Sequence, residues 1–434
     1  MTPSPRIDRR DFLKLAAAAS TAAAASPLVA AAGQPTKMTA QADPRVVPTR
    51  LPPTSAFPVT TSAPKRVSDN GRFLVIVELQ GGNDGLSTLI PLRDSAYRKL
   101  RSRTLIDPAV ALPLSDEWGL NPKLARLHRR GTAAVAGIGT PNPDGSHFAM
   151  MRRWWMGDPT GDAPPNSGFF GRCCDAIGDP DAPAVGLSVN SGPSMALSAS
   201  RVSTLSLPDL SALSLFHPNA EDRPLSAYQQ AYRTIANRPG PAAQGMRRAM
   251  TVARSLDRIT GDRGGIAESK VEYPGSALSD PLRAAARTLA AGLGVRVIHV
   301  SLGGFDTHSN HVDTHSNLME QLDGAIDAFL ADVEQRGLAD QIVVATISEF
   351  GRRAADNDSN GLDHGAASVA LVAGKPVRAG VRSEPSSLTK LDRDDNLRAT
   401  TNMDRYYASL AHWLGIAPGE VLAGDPKPLP DLFE

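Results

Sequence analysis

The sequence predicts an α/β protein in which helices sandwich a mostly parallel β-sheet. Short apolar runs, each long enough for one strand, alternate along the chain with segments of helical periodicity. The first run, residues 73–77, is apolar at every position, which indicates a strand covered on both faces, as in parallel sheets. Strands that alternate with helices favour the same architecture. No internal repeat of roughly 20–50 residues is visible.

Each predicted element is bounded by recognisable signals. The predicted strands lie at residues 73–77, 133–138, 295–302, 342–347 and 369–372. A helix should begin at Asn121-Pro122, with Asn as the cap and Pro in the first turn, and should end at Gly131. A longer helix carries an apolar stripe over residues 318–333 and should end at Gly337.

The composition excludes several classes of protein. The 46 Lys and Arg residues nearly balance the 45 Asp and Glu residues, so no basic field for nucleic acid is expected. After the N-terminal leader, no run of about 18 apolar residues could span a membrane. The two cysteines, Cys173 and Cys174, are adjacent, and Cα atoms about 3.8 Å apart do not suit a relaxed disulfide. We expect them to pack on a helix face, with a redox role as the alternative.

The first 32 residues have the features of a cleaved export signal. Arg9-Arg10, one variable residue and then Phe-Leu-Lys resemble the twin-arginine consensus, and a weakly apolar, Ala-rich stretch follows. Small residues at 29–33 suit a signal peptidase. We therefore expect the twin-arginine translocase as a partner and a periplasmic or extracellular location in a bacterium. The alternative is an Ala-rich helix that stays attached.

The rest of the chain divides into a linker and one domain. Residues 33–70 are rich in Pro, Thr, Ser and Ala, a composition typical of an extended linker. Residues 71–434 should form the α/β domain. Within it, residues 202–290 are mostly helical in pattern and are predicted to be a helical insertion on or over the sheet.

Polar residues follow the predicted strands at corresponding places. Asp84, Asp306 with His308, and Glu349 each lie shortly after the end of a different buried strand, and Asp363-His364 follows in a loop. Ligands of open parallel sheets bind outside the carboxyl ends of the strands, so these side chains should converge there. Carboxylates suit Mg²⁺, Mn²⁺ or Ca²⁺, whereas histidine adds a preference for Zn²⁺. The sequence therefore predicts a divalent metal site.

Each candidate also has a purely structural interpretation. Asp84 lies in an Asn-Asp-Gly sequence that favours a tight turn, and Asp306 with His308 could form a capped loop. Glu349 could form a salt bridge with Arg352 or Arg353. Residues 363–364 could make only hydrogen bonds within their loop.

Three other histidines are expected to be structural. His299 lies inside a strand and should be a packed core residue. His311 and His315 stand four residues apart on the long helix, a spacing that allows two ligands but is more typical of a solvated helix face.

Ser146 lies at a predicted helix N-terminus after the second strand. The N–H groups and dipole there favour an anion such as phosphate or sulfate, and a metal could activate the hydroxyl as a nucleophile. The alternative is an ordinary N-cap. The sequence carries no Gly-x-Ser-x-Gly elbow, P-loop or Gly-x-Gly-x-x-Gly motif.

A set of short motifs, taken in order, resembles the bacterial family known as domain of unknown function 1501. The motifs are LQGGNDG at residues 79–85, SHF at 146–148, WMG at 155–157, LGGFDTH at 302–308, SEFGR at 348–352 and DHG at 363–365. The family resembles twin-arginine-exported members of the alkaline phosphatase-like (sulfatase-like) superfamily. The resemblance covers about residues 71–420.

The resemblance implies a two-metal site in a parallel sheet. Asp84 matches the acidic ligand after the first strand, and Ser146 matches the superfamily nucleophile. Asp306 and His308 match the Asp-and-His ligand loop with a shorter spacing, and His364 matches a late histidine ligand. The sequence departs from the superfamily after Glu349, where the usual Asp-His is replaced and Phe350 cannot bind a metal.

The leading hypothesis is an exported, metal-dependent hydrolase of phosphate or sulfate esters. Its candidate catalytic residues are Ser146 as the nucleophile, His147, and Arg352 as the group that holds the oxyanion. Its candidate metal ligands are Asp306, His308 and His364 for one ion, Asp84 and Glu349 for a second, and Asp363. The alternative, which Phe350 favours, is a non-catalytic exported binding protein that retains a degenerate site. A third hypothesis is an assembly factor that acts through the predicted insertion.

Overall fold

The computed structural model describes residues 71–207 and 269–434, apart from residues 163, 179–181, 183 and 191, together with residues 234, 237 and 238. The predicted leader and linker lie outside the described residues, as does most of the predicted insertion.

The elements of the described residues alternate between strands and helices. The strands are β1 Phe73–Leu79, β2 Leu89–Pro91, β3 Leu112–Pro113, β4 Trp118–Leu120, β5 Ala133–Gly139, β6 Gly186–Val189, β7 Thr204–Leu207, β8 Val297–Leu302, β9 Ile342–Ile347, β10 Ser368–Ala373, β11 Gly380–Val381 and β12 Thr401–Asn402. The α-helices are α1 Gly85–Thr88, α2 Ser95–Leu100, α3 Ala125–Arg130, α4 His147–Met156, α5 Phe169–Ile177, α6 Ser279–Ala290, α7 His311–Gln335, α8 Met403–Trp413 and α9 Pro418–Val421. Short 3₁₀ helices cover Pro108–Val110, Pro122–Leu124, Met195–Leu197 and Ala339–Gln341.

The main sheet is mostly parallel, as the sequence predicts. Its strand order is β11-β5-β10-β9-β1-β8-β6-β7, and β12 also pairs with β5. Strand β1 runs parallel to β8 on one side, where Leu74 lies opposite Val297, and parallel to β9 on the other, where Leu74 lies opposite Val343. Only β10 runs antiparallel to its neighbours within this described sheet. A small antiparallel sheet joins β2, β4 and β3.

Helices cover both faces of the sheet, which explains why β1 is apolar almost throughout. Val75 and Val77 belong to the core shared with α6 and α7, whereas Leu74 and Ile76 belong to the core shared with α4, α5 and α8. Successive side chains of a strand point to opposite faces, so a strand between two helical layers needs apolar residues at nearly every position. The predicted fold class is confirmed.

The predicted boundary signals operate as expected. The Asn121 side chain accepts a hydrogen bond from the Lys123 N–H at 2.9 Å, and Pro122 follows it. Gly131 ends α3 in the left-handed conformation, with φ 83°, which costs glycine little because it has no Cβ. Local side-chain and backbone chemistry therefore fixes both ends of this segment.

The two described ends of the predicted insertion differ from each other. Residues 279–290 form the helix α6, in agreement with the helical pattern. Residues 204–207 instead form strand β7, which adds a parallel edge to β6, with Gly186 opposite Thr204. These four residues form their backbone hydrogen bonds with the edge of β6 rather than within a helix.

Among the described residues, no helix is both long enough and apolar enough to cross a membrane.

The two cysteines pack in the core, as predicted. Cys173 and Cys174 lie on α5, are free thiols and are fully buried. Burial raises the pKa of Cys173 to about 12 and also raises the pKa of Cys174. Because the thiolate is the reactive form, neither residue has the environment of a reactive cysteine.

The native protein should not react with Ellman's reagent at pH 8. Burial blocks access to both thiols and disfavours the thiolate, whereas two thiols per chain should react after unfolding in guanidinium. Absorbance at 412 nm, read against time with and without denaturant, measures the difference (roughly two thiols against none). Rapid reaction of one thiol in the native state would contradict the buried placement.

Candidate metal centre

The carboxyl ends of three neighbouring parallel strands bring the candidate residues together. Asp306 and His308 follow β8, Glu349 follows β9, and His364 lies just before β10. His147 is the first residue of α4. The loop after β1 completes the edge. Its Gly81 has φ 115°, and a Cβ at this position would lie 2.3 Å from the Asp306 nitrogen, so only glycine allows the two loops to approach this closely.

Three histidine rings and one carboxylate converge at this edge. The His364 Nε2 atom lies 3.1 Å from the His147 Nε2 and 2.9 Å from the His308 Nε2. The Asp306 Oδ1 lies 3.2 Å from the Nε2 atoms of His308 and His364 and 3.5 Å from that of His147. The ligand atoms of His147, Asp306 and His364 all lie within 4.8 Å of one another, and the His308 Nε2 lies beside two of them. We call these four residues the histidine cluster.

The opposite nitrogen of each ring faces a hydrogen-bond acceptor. The His147 Nδ1 lies 2.9 Å from the Glu349 Oε1, and the His308 Nδ1 lies 3.2 Å from the Asp363 Oδ1. The His364 Nδ1 lies 2.7 Å from the carbonyl oxygen of Gly145. A proton on each Nδ1 satisfies these acceptors and leaves each Nε2 as a lone pair. The three rings then direct lone pairs at one another.

A cation resolves the repulsion that this arrangement creates. Ligand atoms on one tetrahedral zinc ion lie roughly 3.3 Å apart, given zinc–nitrogen distances of about 2.0–2.1 Å, and the five separations given above bracket this value. Metal-binding histidines characteristically donate their second N–H to a carboxylate or carbonyl, and each Nδ1 here faces such an acceptor. Three imidazoles and one carboxylate favour Zn²⁺ or a similar transition metal over Mg²⁺ or Ca²⁺. The donor set fits a metal ion.

Glu349 and Asp363 orient histidines. The Glu349 side chain is 1% exposed, and its Oε1 accepts the Gly81 N–H at 2.8 Å as well as facing His147. Asp363 faces His308 and also accepts a hydrogen bond from the Asn357 amide at 3.1 Å. That amide, together with His308, lowers the pKa of Asp363. Both carboxylates act behind the histidines, so the structure places neither among the converging ligand atoms.

Arg352 lies beneath the histidine cluster and is fully buried. Its Nη2 donates to the Asp306 Oδ1 at 2.6 Å. The same Nη2 also contacts the carbonyls of Gly81 and Phe305, whereas Nε donates to the Gly82 carbonyl and Nη1 to the Leu362 carbonyl. Partial burial opposes ionisation of Asp306, but Arg352 and the neighbouring histidines outweigh it and lower the pKa of Asp306. In this arrangement, the predicted oxyanion-holding role is not available to Arg352, because its side chain has no exposed surface.

Asp84 does not belong to the histidine cluster, and its carboxylate pairs with an arginine. Its two oxygens accept from the Arg101 Nη1 and Nη2, each at 2.8 Å, and both side chains have no exposed surface. Burial alone would raise the pKa of Asp84, but Arg101 and His311 hold it well below its usual range. Both oxygens of Asp84 thus pair with the guanidinium. Glu349 is held by Gly81 and His147, so within the described part of the chain neither carboxylate belongs to a group of converging ligand atoms.

Arg101 could not be found from the sequence, because no motif marks it and it directly follows a short surface helix, α2. It becomes a partner of Asp84 only through the fold, which also brings the carbonyl of Ala354 to 2.7 Å from its Nε.

The prediction of a solvated face for His311 and His315 is wrong, because both are buried. The first turns of α7 lie under the loop after β1, where the His311 Nε2 is 3.0 Å from the Ser87 Oγ and the His315 Nε2 is 3.1 Å from the Asn83 Oδ1. Burial, with the nearby His311, lowers the pKa of His315 to about 3. These two histidines form a buried polar layer that is not part of the metal centre.

Ser146 takes the N-cap position of α4, the structural alternative for this residue. Its Oγ accepts a hydrogen bond from the Ala149 N–H at a long 3.4 Å, and the residue is exposed. It directly precedes His147 and directly follows Gly145, which both contact the centre. Ser146 therefore lies at the border of the histidine cluster with its hydroxyl accessible.

Phe350 packs against the cluster. It is 2% exposed, and its ring centroid lies 4.8 Å from that of His147 and 4.7 Å from that of His364. An added Cβ at Gly82 would lie 2.4 Å from this ring. The aromatic ring thus supports the histidines from the position that a further ligand has in the superfamily pattern.

The fold and the histidine cluster together define an α/β protein with a candidate metal centre at the carboxyl edge of its sheet. The model of the family described as Protein of unknown function (DUF1501) matches residues 129–424, and the chain belongs to this family. No curated protein matches the sequence.

Distant similarity extends to solved structures of the alkaline phosphatase and sulfatase type. The C-terminal periplasmic domain of EcEptC from Escherichia coli, in complex with Zn, aligns at 10% identity and a TM-score of 0.40, covering 85% of this chain and 90% of that one. A protein in the alkaline phosphatase superfamily from Vibrio parahaemolyticus aligns at 10% identity and a TM-score of 0.36, covering 81% and 68%. The PsFucS1 sulfatase from Pseudoalteromonas sp. aligns at 12% identity and a TM-score of 0.35, covering 82% and 73%.

Replacement of Asp84 by asparagine should destabilise the protein without changing its metal content. Removing one partner of a buried ion pair costs about 3–5 kcal/mol, because Arg101 is left buried and unpaired. The lowered pKa means that this stabilisation is present above about pH 4 and is lost as the pH falls through the folded-state value. Urea unfolding at pH 7 measures the difference from the wild type.

The matched control is Asp340→Asn. Asp340 pairs with Lys375 at 2.7 Å, but their side chains are 74% and 65% exposed, so its loss should cost no more than about 1 kcal/mol. Loss of bound metal in Asp84→Asn, with normal stability, would contradict the separation of Asp84 from the histidine cluster.

Proposed function

We propose that this protein is an exported hydrolase of phosphate or sulfate esters with a single transition-metal ion. The observation that carries the proposal is the convergence of three Nε2 atoms on the Asp306 carboxylate, with every Nδ1 held by an acceptor. The ligands of the ion are His147, His308, His364 and Asp306. This assignment moves His147 from a general catalytic role to a ligand, and it replaces the expected pair of ions by one.

Each residue around the proposed centre has a definite task. Glu349, Asp363 and the Gly145 carbonyl keep the three rings in the tautomer that binds a metal. Arg352 holds the Asp306 carboxylate in place and keeps it ionised. A bound metal ion at this position would supply Lewis acidity, which favours ionisation of an adjacent hydroxyl and offsets the negative charge that builds on the ester oxygens.

Ser146 is the proposed nucleophile. Its Oγ would lose its proton as it attacks the phosphorus or sulfur atom of the ester, and the ester oxygen would take up a proton and leave as the alcohol. Water would then release the phosphate or sulfate and return a proton to the serine. The weak capping hydrogen bond, at 3.4 Å to Ala149, is lost at little cost when the hydroxyl reacts. The exposed edge of the histidine cluster, where the Asp306 side chain is 49% exposed, leaves room for a substrate.

Export by the twin-arginine translocase and a periplasmic or extracellular location are part of this proposal. The paired arginines of the leader and its small-residue end support it. Because this pathway carries folded cargo, the metal could be loaded before export.

Phe350 supports a second candidate function, that of a non-catalytic exported binding protein. An apolar ring occupies the position of a superfamily ligand, and the buried Arg352 offers no group to a transition state. Such a protein would bind a metal and an anionic ligand without turnover.

Metal analysis tests the centre itself. The mature wild-type protein should hold one equivalent of zinc or a similar metal, and His364→Ala should hold almost none, because one of four ligands is removed. Asp363→Asn should bind about 10–100-fold more weakly, since it only orients His308. Elemental analysis after dialysis against a metal buffer gives the stoichiometry.

His412→Ala is the control for these variants, because His412 is exposed on α8, far along the chain from the cluster. It should keep the full metal content. An unchanged metal content in His364→Ala would remove the proposed centre.

Hydrolysis of p-nitrophenyl phosphate and p-nitrophenyl sulfate by the metal-loaded protein tests the activity. Ser146→Ala should lower kcat by at least about 10³-fold while leaving the metal content intact, because only the nucleophile is lost. Ser115→Ala is the control. Ser115 also accepts backbone hydrogen bonds, from Glu117 and Trp118, but lies in a turn elsewhere, and its loss should leave kcat unchanged. A metal-loaded wild type that binds phosphate but hydrolyses neither ester nor any of a broader ester panel would favour the binding protein.

Replacement of Arg9 and Arg10 by lysine should keep the precursor inside the cell. The twin-arginine pathway is expected to require the arginine pair, so the full-length chain should accumulate at the expense of the mature form. Cell fractionation and N-terminal sequencing of the exported wild type, expected to begin near residue 33, measure this. Normal export of the double-lysine variant would contradict the proposed route.

A further inference from the structure

A second group of polar side chains lies on the sheet face covered by α4 and α5. Glu78 on β1 and His299 on β8 are ionisable residues in mostly apolar strands, and both are buried. They share this face because β1 and β8 pair in parallel, with Ile76 opposite His299. Neither residue contacts the histidine cluster in the described hydrogen bonds and ion pairs. The expectation that His299 is a buried core histidine is confirmed, but its partners are polar.

The three side chains of this group form a chain of close contacts. The Ser194 Oγ lies 2.8 Å from the His299 Nδ1. On the other side of the ring, the His299 Nε2 lies 3.0 Å from the Glu78 Oε2, a charge contact whose direction is not that of a hydrogen bond. The second Glu78 oxygen accepts the indole N–H of Trp155 at 2.9 Å. A carboxylate, an imidazole and a hydroxyl thus lie next to one another in this order.

Glu78 and His299 are more deeply buried than Ser194. The Glu78 and His299 side chains are 5% and 3% exposed, whereas Ser194 is only partly buried. Beyond it, Met195 is 45% exposed, and an added Cβ at Gly192 would meet no atom within 4 Å. Ser194 is therefore the outermost member, and its Oγ also accepts a long hydrogen bond of 3.4 Å from the Leu197 N–H.

This order has a chemical meaning. A buried carboxylate fixes the orientation of an imidazole and stabilises its cationic form, and the imidazole then removes the proton from an accessible hydroxyl. Burying a glutamate and a histidine in a core of apolar side chains costs free energy that an apolar pair would not. A purely structural role for these residues does not require a hydroxyl at the outer nitrogen of the ring.

We propose that Ser194, His299 and Glu78 form a second nucleophilic site, for carboxylic esters or related acyl groups, that works independently of the metal centre. Ser194 and His299 are its catalytic residues, and Glu78 is a positioning residue. In the first step, the Ser194 Oγ bonds to the acyl carbon, its proton passes to the His299 Nδ1, and that proton leaves with the alcohol. In the second step, water gives a proton to His299, attacks the acyl carbon and releases the carboxylic acid and the serine.

Labelling with a fluorophosphonate probe tests the site without any assumption about the natural substrate. The probe's phosphorus should bond to the Ser194 Oγ with loss of fluoride, and peptide mass spectrometry of the mature wild-type protein should locate it there. Ser194→Ala should abolish labelling at this position, and it removes only one hydroxyl, so the fold should be kept. His299→Gln should slow labelling by about 10²-fold or more, since the base is lost.

Two controls give the result its specificity. Ser386→Ala, which removes a hydroxyl that donates to the Arg398 carbonyl in an exposed loop, should label at the wild-type rate. Removal of metal by a chelator should leave Ser194 labelling unchanged, which separates this site from the metal-dependent hydrolase whether or not that activity exists. Glu78→Gln, measured alongside, should shift the pH profile of labelling, which a merely structural role would not do.

No labelling of Ser194 in the folded wild type would overturn the proposal. Labelling that His299→Gln leaves at the wild-type rate, with the variant shown to be folded by near-UV circular dichroism, would also overturn it.

Discussion

The arrangement of the candidate metal centre depends on one buried guanidinium. Arg352 donates to the carbonyls of Gly81, Gly82, Phe305 and Leu362 and to the Asp306 carboxylate. These acceptors belong to the loops after β1 and β8 and to the loop before β10. One rigid, planar donor with fixed directions therefore sets the distances between three separate loops. Without it, the buried carbonyls would lack partners, and Asp306 would lose the charge that keeps it ionised.

The two aspartates at this edge of the sheet, Asp84 and Asp306, differ in how they pair with arginine. Arg101 neutralises Asp84 inside the protein, where an unpaired charge would be costly. Asp306 shares Arg352 with several carbonyls and remains half exposed, so its Oδ1 still faces the three rings. The same residue type is thus structural in one loop and a candidate ligand in the next, because burial and the number of competing acceptors differ.

The candidate nucleophiles also differ in their surroundings. As the proposed nucleophile, Ser146 would need a metal for activation, since its Oγ has only a weak contact with a backbone N–H. Ser194 has a histidine within hydrogen-bonding distance and needs no metal. Both lie near α4, whose adjacent residues Trp154 and Trp155 donate to the Glu349 carbonyl and to the Glu78 side chain. This helix therefore positions parts of both sites.

The sequence by itself determined the fold class, the positions of five strands of the main sheet and the edge of the sheet where chemistry-bearing residues gather. Apolar runs such as residues 342–347 and capping signals such as Asn121 act locally, so they are readable without the structure. Only the tertiary structure decided that His147 joins the ligands, that Asp84 is neutralised by Arg101, and that His311 is buried. These outcomes depend on which side chains, far apart in sequence, the fold places next to a carboxylate or ring. Spacing along the chain does not give those distances in space.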